Sequence, residues 1–297
     1  MTTYLDPVKP GKYKNFTVVP LTGVIGAEIV GLDLREQLDS SVWEEILQAF
    51  ADHQVLVFES QELSHVQHEN FASGFGKITK LQRLHSVEGH ENVQVIRRSA
   101  GDTQRVVGEN WHSDATWTTN PPKTVVMRAI EVPDFGGDTA FLSTAAAYDA
   151  LSPAFKKHIE SLDVVHSGTR IFGSAYHNQD RRYNPTNVMI EQTVEEGDHE
   201  VIHPLVCTNP FNGRKYLYLS KNYSQRFVGF TNAESAPILN YLYEHSARYD
   251  FTCRIKWKKN QIVVWDNSTT MHLAVPDYAG KDRMLARVSL EGPKPAR

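Results

Sequence analysis

The feature that most restricts the fold of this chain is a series of short, apolar, strand-like runs beginning after residue 90. Turn-forming stretches such as "PDFGG" and "NPFNGR" separate them. The runs cover residues 93–98, 124–132, 139–143, 163–168, 200–208, 214–220, 251–257, 262–267 and 284–292. Many short strands with turn signals between them are typical of a β-sandwich or a jelly roll.

Helical patterns accompany these strands. Residues 39–53 carry Trp43, Ile46, Leu47 and Phe50 at helical spacing, with Asp39 or Ser40 as the N-cap. Further patterns are a buried strand at 54–60, a capping box from Ser64 to Gln67, and helices within 152–162 and 232–248. No repeat or low-complexity linker divides the chain, so we predict one domain over residues 1–297, mainly β with flanking helices.

Composition and charge exclude several classes of protein. The chain has 31 basic and 35 acidic residues, a formal charge of −4, and no basic block interleaved with aromatics, so nucleic acid is not an expected partner. It has no signal-like apolar start and no 18-residue apolar run, so we expect a soluble, cytoplasmic protein without a membrane partner. Cys207 and Cys253 lie in strand-like runs and are predicted to be reduced core residues.

The stretch "GENWHSDATW", residues 108–117, places His112 and Asp114 two positions apart. On a strand both side chains would point to one side, either as a buried salt bridge or as part of a metal site. His272 follows the predicted strand "IVVWDN", and two imidazoles with one carboxylate form the ligand set of oxygen-activating Fe(II) sites. Each signal is weak alone, because a histidine in a strand can also have a purely structural role. His166 and His203, for instance, are predicted to be hydrogen-bonded structural histidines.

Arg283 and Arg287 occupy one strand-like run, "RMLARVSL". A spacing of four puts both guanidinium groups on the same face of a strand. Such a pair is usually a solvated face, but here it alternates with Leu285 and Val288 in a run that we expect to be partly buried.

The ordered set of these motifs resembles a known family. "NWHSDATW…PP", "GGDTAFLS", "WDNSTTMH" and "RMLARVSL" are similar to the Fe(II)- and 2-oxoglutarate-dependent dioxygenases of the taurine dioxygenase family, and the similarity runs from "PLTGVIGAEIVGLDL" to the end. Within that family, "VVMRAIEVPDFGGDTAFLS", "YDFTCRIKWKK" and "AVPDYAGK" most resemble the (R)-phenoxypropionate dioxygenases, which cleave aryloxypropionate herbicides.

The resemblance implies a double-stranded β-helix, the jelly roll, and a homo-oligomeric enzyme using Fe(II), 2-oxoglutarate and O₂. His112, Asp114 and His272 match the metal ligands and would form the catalytic centre. The residues expected to hold or wall the co-substrate are Thr139, Trp265, Arg283 and Arg287. The expected substrate pocket consists of Leu81, Leu84, Asn110, Ala115, Trp117, Phe172 and Arg287.

The family's taurine enzymes carry a histidine and a tyrosine where this chain has Leu81 and Leu84, so taurine is not the expected substrate. We expect instead a small carboxylic acid with a hydrophobic body, similar to an aryloxypropionate, whose acid group meets Arg287. Two alternatives stay open: an enzyme that hydroxylates or desaturates an amino-acid derivative or a sulfonate, and a non-catalytic jelly-roll binding protein. The long polar segment 167–187, with Phe172 embedded, is predicted to be an active-site lid.

Overall fold

Residues 13–81, 84–102, 106, 108–174 and 194–297 are described in a computed structural model of the chain. The strands in these ranges are β1 Thr17–Pro20, β2 Ala27–Val30, β3 Val55–Phe58, β4 Ile78–Thr79, β5 Ser86–Val87, β6 His90–Arg98, β7 Thr124–Glu131, β8 Thr139–Ser143, β9 Asp163–Ser167, β10 Glu200–Pro204, β11 Val206–Thr208, β12 Lys215–Leu217, β13 Ser224–Phe227, β14 Thr252–Ile255, β15 Ile262–Asp266, β16 Thr270–Ala274 and β17 Arg283–Leu290. The helices are α1 Ser40–His53, α2 His65–Ser73, α3 Thr144–Asp149, α4 Pro153–Ile159, α5 Val194–Asp198 and α6 Asn232–Ser246, with a 3-10 turn at Tyr249–Phe251.

The largest sheet has nine strands, eight of them in the order β1-β2-β3-β15-β7-β17-β6-β5, with β4 paired to β17. Strands β2 and β3 are parallel, and the other pairs in this sheet are antiparallel. A second, three-stranded sheet has the order β14-β8-β16. Two smaller sheets have the orders β10-β9-β13 and β11-β12.

Side-chain alternation on the central strands divides the core into two layers. Val263 and Trp265 of β15 pack in an inner core, shared with Phe141 of β8 in the second sheet. Ile262 and Val264 point the other way, into an outer core that α1 and α2 cover with side chains such as those of Ile46 and Phe71. The main sheet is therefore buried on both faces, and the fold is the predicted double-stranded β-helix with flanking helices.

The local signals read from the sequence are confirmed. Helix α1 begins after Asp39 and buries Ile46 and Phe50, and α2 carries the capping box from Ser64 to Gln67. Cys207 and Cys253 are buried free thiols, and burial raises the pKa of each to about 12, which keeps them protonated. Among the described residues, no helix is both long and apolar enough to cross a membrane.

A buried histidine makes the stability of this fold depend on pH. His68 of α2 is fully buried, and its Nε2–H donates to the Val126 carbonyl oxygen at 3.1 Å. Burial, reinforced by the charge of Arg128, lowers the pKa of His68 from 6.5 to about 3. Because the unfolded chain takes up a proton below pH 6.5 that the folded chain refuses, stability is complete above pH 6.5 and falls as the pH drops towards 3.

We therefore expect acidification from pH 7 to pH 5 to remove about 1–2 kcal/mol through His68 alone, at about 1.4 kcal/mol per pH unit. Urea unfolding of the metal-free protein at the two pH values measures the loss, and His68→Gln should reduce it by that amount. His158→Gln, at an exposed position of α4, is the control and should leave the loss at the wild-type value. Equal pH dependence in His68→Gln and the wild type would contradict the assignment.

Candidate metal and co-substrate site

The predicted metal ligands lie together at one end of the jelly roll. His272 is in the middle of β16, and His112 forms an isolated antiparallel bridge with it, with backbone N···O distances of 3.0 and 2.8 Å. Asp114 follows two residues after His112. The two segments, distant in sequence, thereby present three side chains to one point.

The three side chains are close enough to share one ion. Their ligating atoms all lie within 4.8 Å of one another. Among the described residues, these three form the cluster of histidine, cysteine or acidic side chains that could hold a metal ion. The Nε2 atoms of His112 and His272 are 3.5 and 3.7 Å from the Asp114 carboxylate oxygens. The Asn110 carbonyl oxygen lies 2.7 Å from Nδ1 of His112; since a carbonyl only accepts, that nitrogen carries the proton and Nε2 offers its lone pair.

Electrostatics keep Asp114 and His272 in metal-binding protonation states. Burial alone would raise the pKa of Asp114, but the Arg287 guanidinium and the neighbouring imidazoles of His272 and His112 outweigh it and hold the pKa well below its usual value. Burial, next to His112 and Arg287, lowers the pKa of His272 to about 3 against the opposing effect of Asp114. A carboxylate and two imidazole nitrogens are a donor set that fits a divalent iron ion.

Arg283 lies at the start of β17 and is 4% exposed. Its Nε donates to the Gly137 carbonyl oxygen at 2.9 Å, and its Nη2 lies 3.5 Å from Thr139 Oγ1. No ion pair joins Arg283 to a carboxylate within the described ranges. A buried guanidinium without an anionic partner, beside a hydroxyl group, fits the carboxylate of a bound acid. The structure thus places Arg283 and Thr139 next to each other.

Trp265 and Arg287 both lie beside the candidate metal ligands. The indole ring of Trp265 lies 5.0 Å from the ring of His272, between centroids. Arg287 Nη1 is 2.9 Å from Asp114 Oδ2, and its Nε donates to Ser289 Oγ at 2.9 Å. Arg287 Nη2 is buried and has no hydrogen-bond partner among the described residues.

The predicted pocket residues are placed as follows. Trp117 and Phe172 meet edge to face with ring centroids 5.0 Å apart, and Ala115 adopts a left-handed backbone with φ 51°. Leu84 is buried and Leu81 partly buried. Asn110 has an exposed side chain, and its carbonyl oxygen is what contacts His112. Of the predicted lid, residues 167–174 are described and 175–187 lie outside the described residues.

The histidines predicted to be structural are confirmed as buried and hydrogen-bonded. His166 Nδ1 lies 2.9 Å from Thr116 Oγ1, and His203 Nε2 contacts the carbonyl oxygens of Thr116 and Thr118 at 3.1 and 3.0 Å. Both rings therefore support the turn that follows Asp114.

Sequence reasoning missed Gln94 and Trp257. The Gln94 side chain, fully buried on β6, bonds the backbone of Leu81 and Leu84. Trp257 Nε1–H donates to Thr139 Oγ1 at 2.9 Å and so fixes that hydroxyl group beside Arg283. A polar residue within an apolar run, as Gln94 is in "VQVIRR", was the available signal.

Gly108 offers a test of the His112 position. Its φ is +83°, and a Cβ built on it would lie 3.1 Å from His112 Cε1. We expect Gly108→Ala to cost about 1–2 kcal/mol for the left-handed backbone and also to displace the imidazole, so Mn(II) affinity measured by calorimetry should fall. Gly89→Ala is the matched control, because Gly89 has φ +76° and open space around it. Equal Mn(II) affinities in the two variants would contradict this role.

Curated relatives share this architecture over most of their length. An alkylsulfatase of Acinetobacter baylyi is 34% identical over 92% of this chain and 84% of its own. An alpha-ketoglutarate-dependent sulfate ester dioxygenase of Pseudomonas putida is 31% identical over 94% and 90%. A (S)-phenoxypropionate/alpha-ketoglutarate-dioxygenase of Sphingobium herbicidovorans is 28% identical over 93% and 95%.

Solved structures agree with the fold. A taurine dioxygenase from Burkholderia xenovorans superposes with a TM-score of 0.78 at 33% identity, covering 95% of this chain and 93% of that one. AAD-2, solved in complex with Mn(II) and N-oxalylglycine, gives a TM-score of 0.78 at 27% identity over 96% and 100%.

These similarities favour an enzyme over the non-catalytic binding protein. The chain is a dioxygenase that depends on 2-oxoglutarate, also called alpha-ketoglutarate, and uses Fe(II) and O₂. The model of the family described as "Taurine catabolism dioxygenase TauD, TfdA family" matches residues 17–289, and the chain belongs to that family.

Proposed function

We propose that the enzyme oxidises a C–H bond of a small, hydrophobic carboxylic acid, similar to an aryloxypropionate, and releases succinate and CO₂ from 2-oxoglutarate. The observation that carries this proposal is the position of Arg287. Its Nη1 forms an ion pair with the Asp114 carboxylate, and its Nη2 is buried without a hydrogen-bond partner in the described part of the chain. A substrate carboxylate bonded there would lie next to the metal centre.

The apolar part of the proposed pocket is positioned by Gln94, the residue that pairs with Arg287 on the neighbouring strand. Gln94 of β6 is the cross-strand partner of Arg287 on β17, so both side chains emerge on one face of the sheet. The Gln94 amide bonds the backbone of Leu81 and Leu84 at 2.6–3.1 Å. These leucines, together with the contacting rings of Trp117 and Phe172, supply a hydrophobic surface for an aryl or alkyl group.

We assign His112, Asp114 and His272 as the Fe(II) ligands, and Arg283, Thr139 and Trp265 to the co-substrate. The bound iron supplies the oxidation of the C–H bond by O₂ with 2-oxoglutarate as the electron donor. The protein's part is to hold one carboxylate at Arg283 and the other acid at Arg287. Both arginines lie on β17, so the distance between the two bound acids is set by one strand. The position of the substrate relative to the iron then decides which of its C–H bonds is oxidised.

Sulfate esters are the second candidate substrate, favoured by the higher identity of the two sulfate-ester relatives than of the phenoxypropionate enzyme. The chemistry would be parallel. Hydroxylation of the carbon that bears the ester oxygen of an alkyl sulfate gives an unstable adduct that releases an aldehyde and inorganic sulfate. The same step on an aryloxypropionate gives a hemiketal that releases a phenol and a 2-keto acid. Sulfonates and amino-acid derivatives remain further members of the panel.

The test is a substrate panel scored by succinate formation. We expect an aryloxypropionate to raise succinate production above the substrate-free rate and to release a phenol, whereas taurine does neither. Arg287→Ala should remove the stimulation while changing 2-oxoglutarate binding less than Arg283→Ala does. Release of inorganic sulfate from an alkyl sulfate, without phenol from the aryloxypropionate, would select the second candidate. Robust turnover of taurine would contradict both.

We also propose that residues 1–297 act as one catalytic domain, which the family match over 17–289 supports. Of the predicted lid at 167–187, we propose that the described residues, 167–174, close over the substrate. Slower hydrogen exchange in 167–174 with both substrates bound is the expected result, and unchanged exchange there would contradict a lid. Homo-oligomeric assembly and a cytoplasmic location stay predictions.

A further inference from the structure

Asn267, in the loop between β15 and β16, is 1% exposed and bonds the backbone around Asp114 from both sides. Its Oδ1 accepts from the Asp114 N–H at 2.7 Å. Its Nδ2 donates to the Asp114 carbonyl oxygen at 3.1 Å and to the Pro122 carbonyl oxygen at 2.8 Å. The side-chain amide thus pairs with residue 114 as a peptide group of a neighbouring strand would.

This contact matters because the backbone leaves regular structure at that point. Ala115, directly after Asp114, has a φ of 51°, a left-handed conformation that is unfavourable for a non-glycine residue and persists only where the surroundings hold it. The bridge to β16 ends at His112, and Ser113 adds one side-chain bond, from its Oγ to the Thr270 carbonyl oxygen at 2.7 Å. Asn267 bonds the backbone of residue 114, while Arg287 pairs with its carboxylate.

Asn267 also belongs to the segment that carries another ligand. It follows Trp265 by two residues and precedes His272 by five, on the loop that enters β16. The distance between the Asp114 carboxylate and the His272 imidazole is therefore fixed through one short stretch of chain.

We propose that Asn267 is a positioning residue of the metal site: its amide sets the place of Asp114 relative to the two histidines and thereby raises the affinity for a divalent ion. This role concerns the metal centre and does not depend on which substrate the enzyme oxidises.

The test compares Mn(II) binding to the metal-free protein by calorimetry, with saturating 2-oxoglutarate, in the wild type and Asn267→Ala. Partners that orient a metal ligand typically contribute about 10–100-fold in affinity, and we expect a loss in that range. Asn209→Ala is the matched control. Asn209 is also a buried asparagine whose Oδ1 accepts a backbone N–H, that of Phe211 at 3.0 Å, but it belongs to a turn between β11 and β12.

Thermal unfolding of the metal-free variants separates positioning from general stability. Both alanine variants should unfold at lower temperature. The control should keep its Mn(II) affinity within about twofold of wild type, a difference of only about 0.4 kcal/mol in binding free energy. If Asn267→Ala does not fold, Asn267→Asp serves, because it keeps the acceptor for the Asp114 N–H and loses both donations. Wild-type Mn(II) affinity in a folded Asn267 variant, or equal losses in the control, would overturn the proposal.

Discussion

Replacing Asp114 is expected to abolish turnover. The carboxylate is the one anionic ligand in the group, and its loss should weaken metal binding by at least about 100-fold, beyond the 10–100-fold typical of an outer-shell partner. Asp114→Ala also leaves the buried Arg287 guanidinium without its ion-pair partner, a kind of change that typically costs about 3–5 kcal/mol. We therefore expect reduced thermal stability in addition to lost activity.

Asp114→Asn separates the two effects. The amide oxygen still presents a partial negative charge to the Arg287 guanidinium, so the variant should unfold nearer the wild-type temperature and give a native circular dichroism spectrum, yet remain inactive. The control is Asp149→Ala, which breaks a surface ion pair with Arg214 and should retain activity. Substantial succinate formation by a folded Asp114→Asn would rule out Asp114 as an essential ligand.

Replacing Arg283 is expected to weaken 2-oxoglutarate binding by about 30-fold or more, because a charge-assisted pair in a desolvated pocket contributes about 2–5 kcal/mol. The measurement is the dissociation constant of 2-oxoglutarate in the Mn(II)-loaded protein. Arg283→Lys should recover part of the affinity, since it restores the charge but not the planar fork. Arg214→Ala, the other half of the surface pair, is the control; an unchanged KM for 2-oxoglutarate in Arg283→Ala would show that another group binds it.

The fold and the proximity of His112 to Asp114 were predictable because their signals are local. Strand alternation, helix caps and the spacing of His112 and Asp114 are written within short stretches of sequence. The resemblance to the family then identified His272 and Arg283 as partners of that stretch. Packing between the two sheets required only that the apolar faces of these strands be covered.

Contacts between distant side chains were not predictable in this way. The ion pair of Arg287 with Asp114 forms because β17 and the segment after His112 lie next to each other in the fold. No spacing within the sequence predicts that contact. The three bonds of Asn267 depend on where a loop ends, and in the sequence Asn267 is marked only by its place in the stretch "WDNSTTMH". Such polar contacts are set by register and by loop geometry.

The pairing of β17 with β7 shifts register between Met284 and Leu285, where Ile130 of β7 has no partner on β17, whereas the pairing of β17 with β6 is regular from Arg283 to Arg287. Inserting or deleting one residue between this point and Arg287 would turn that side chain into the layer beneath α1 and α2. This strand can therefore accept substitutions, but a change of length would move one arginine away from the other. Under the proposed function, a change of substrate range would be easier to make on the facing elements, such as Gln94 and the segment it holds, because substitutions there leave the spacing of Arg283 and Arg287 unchanged.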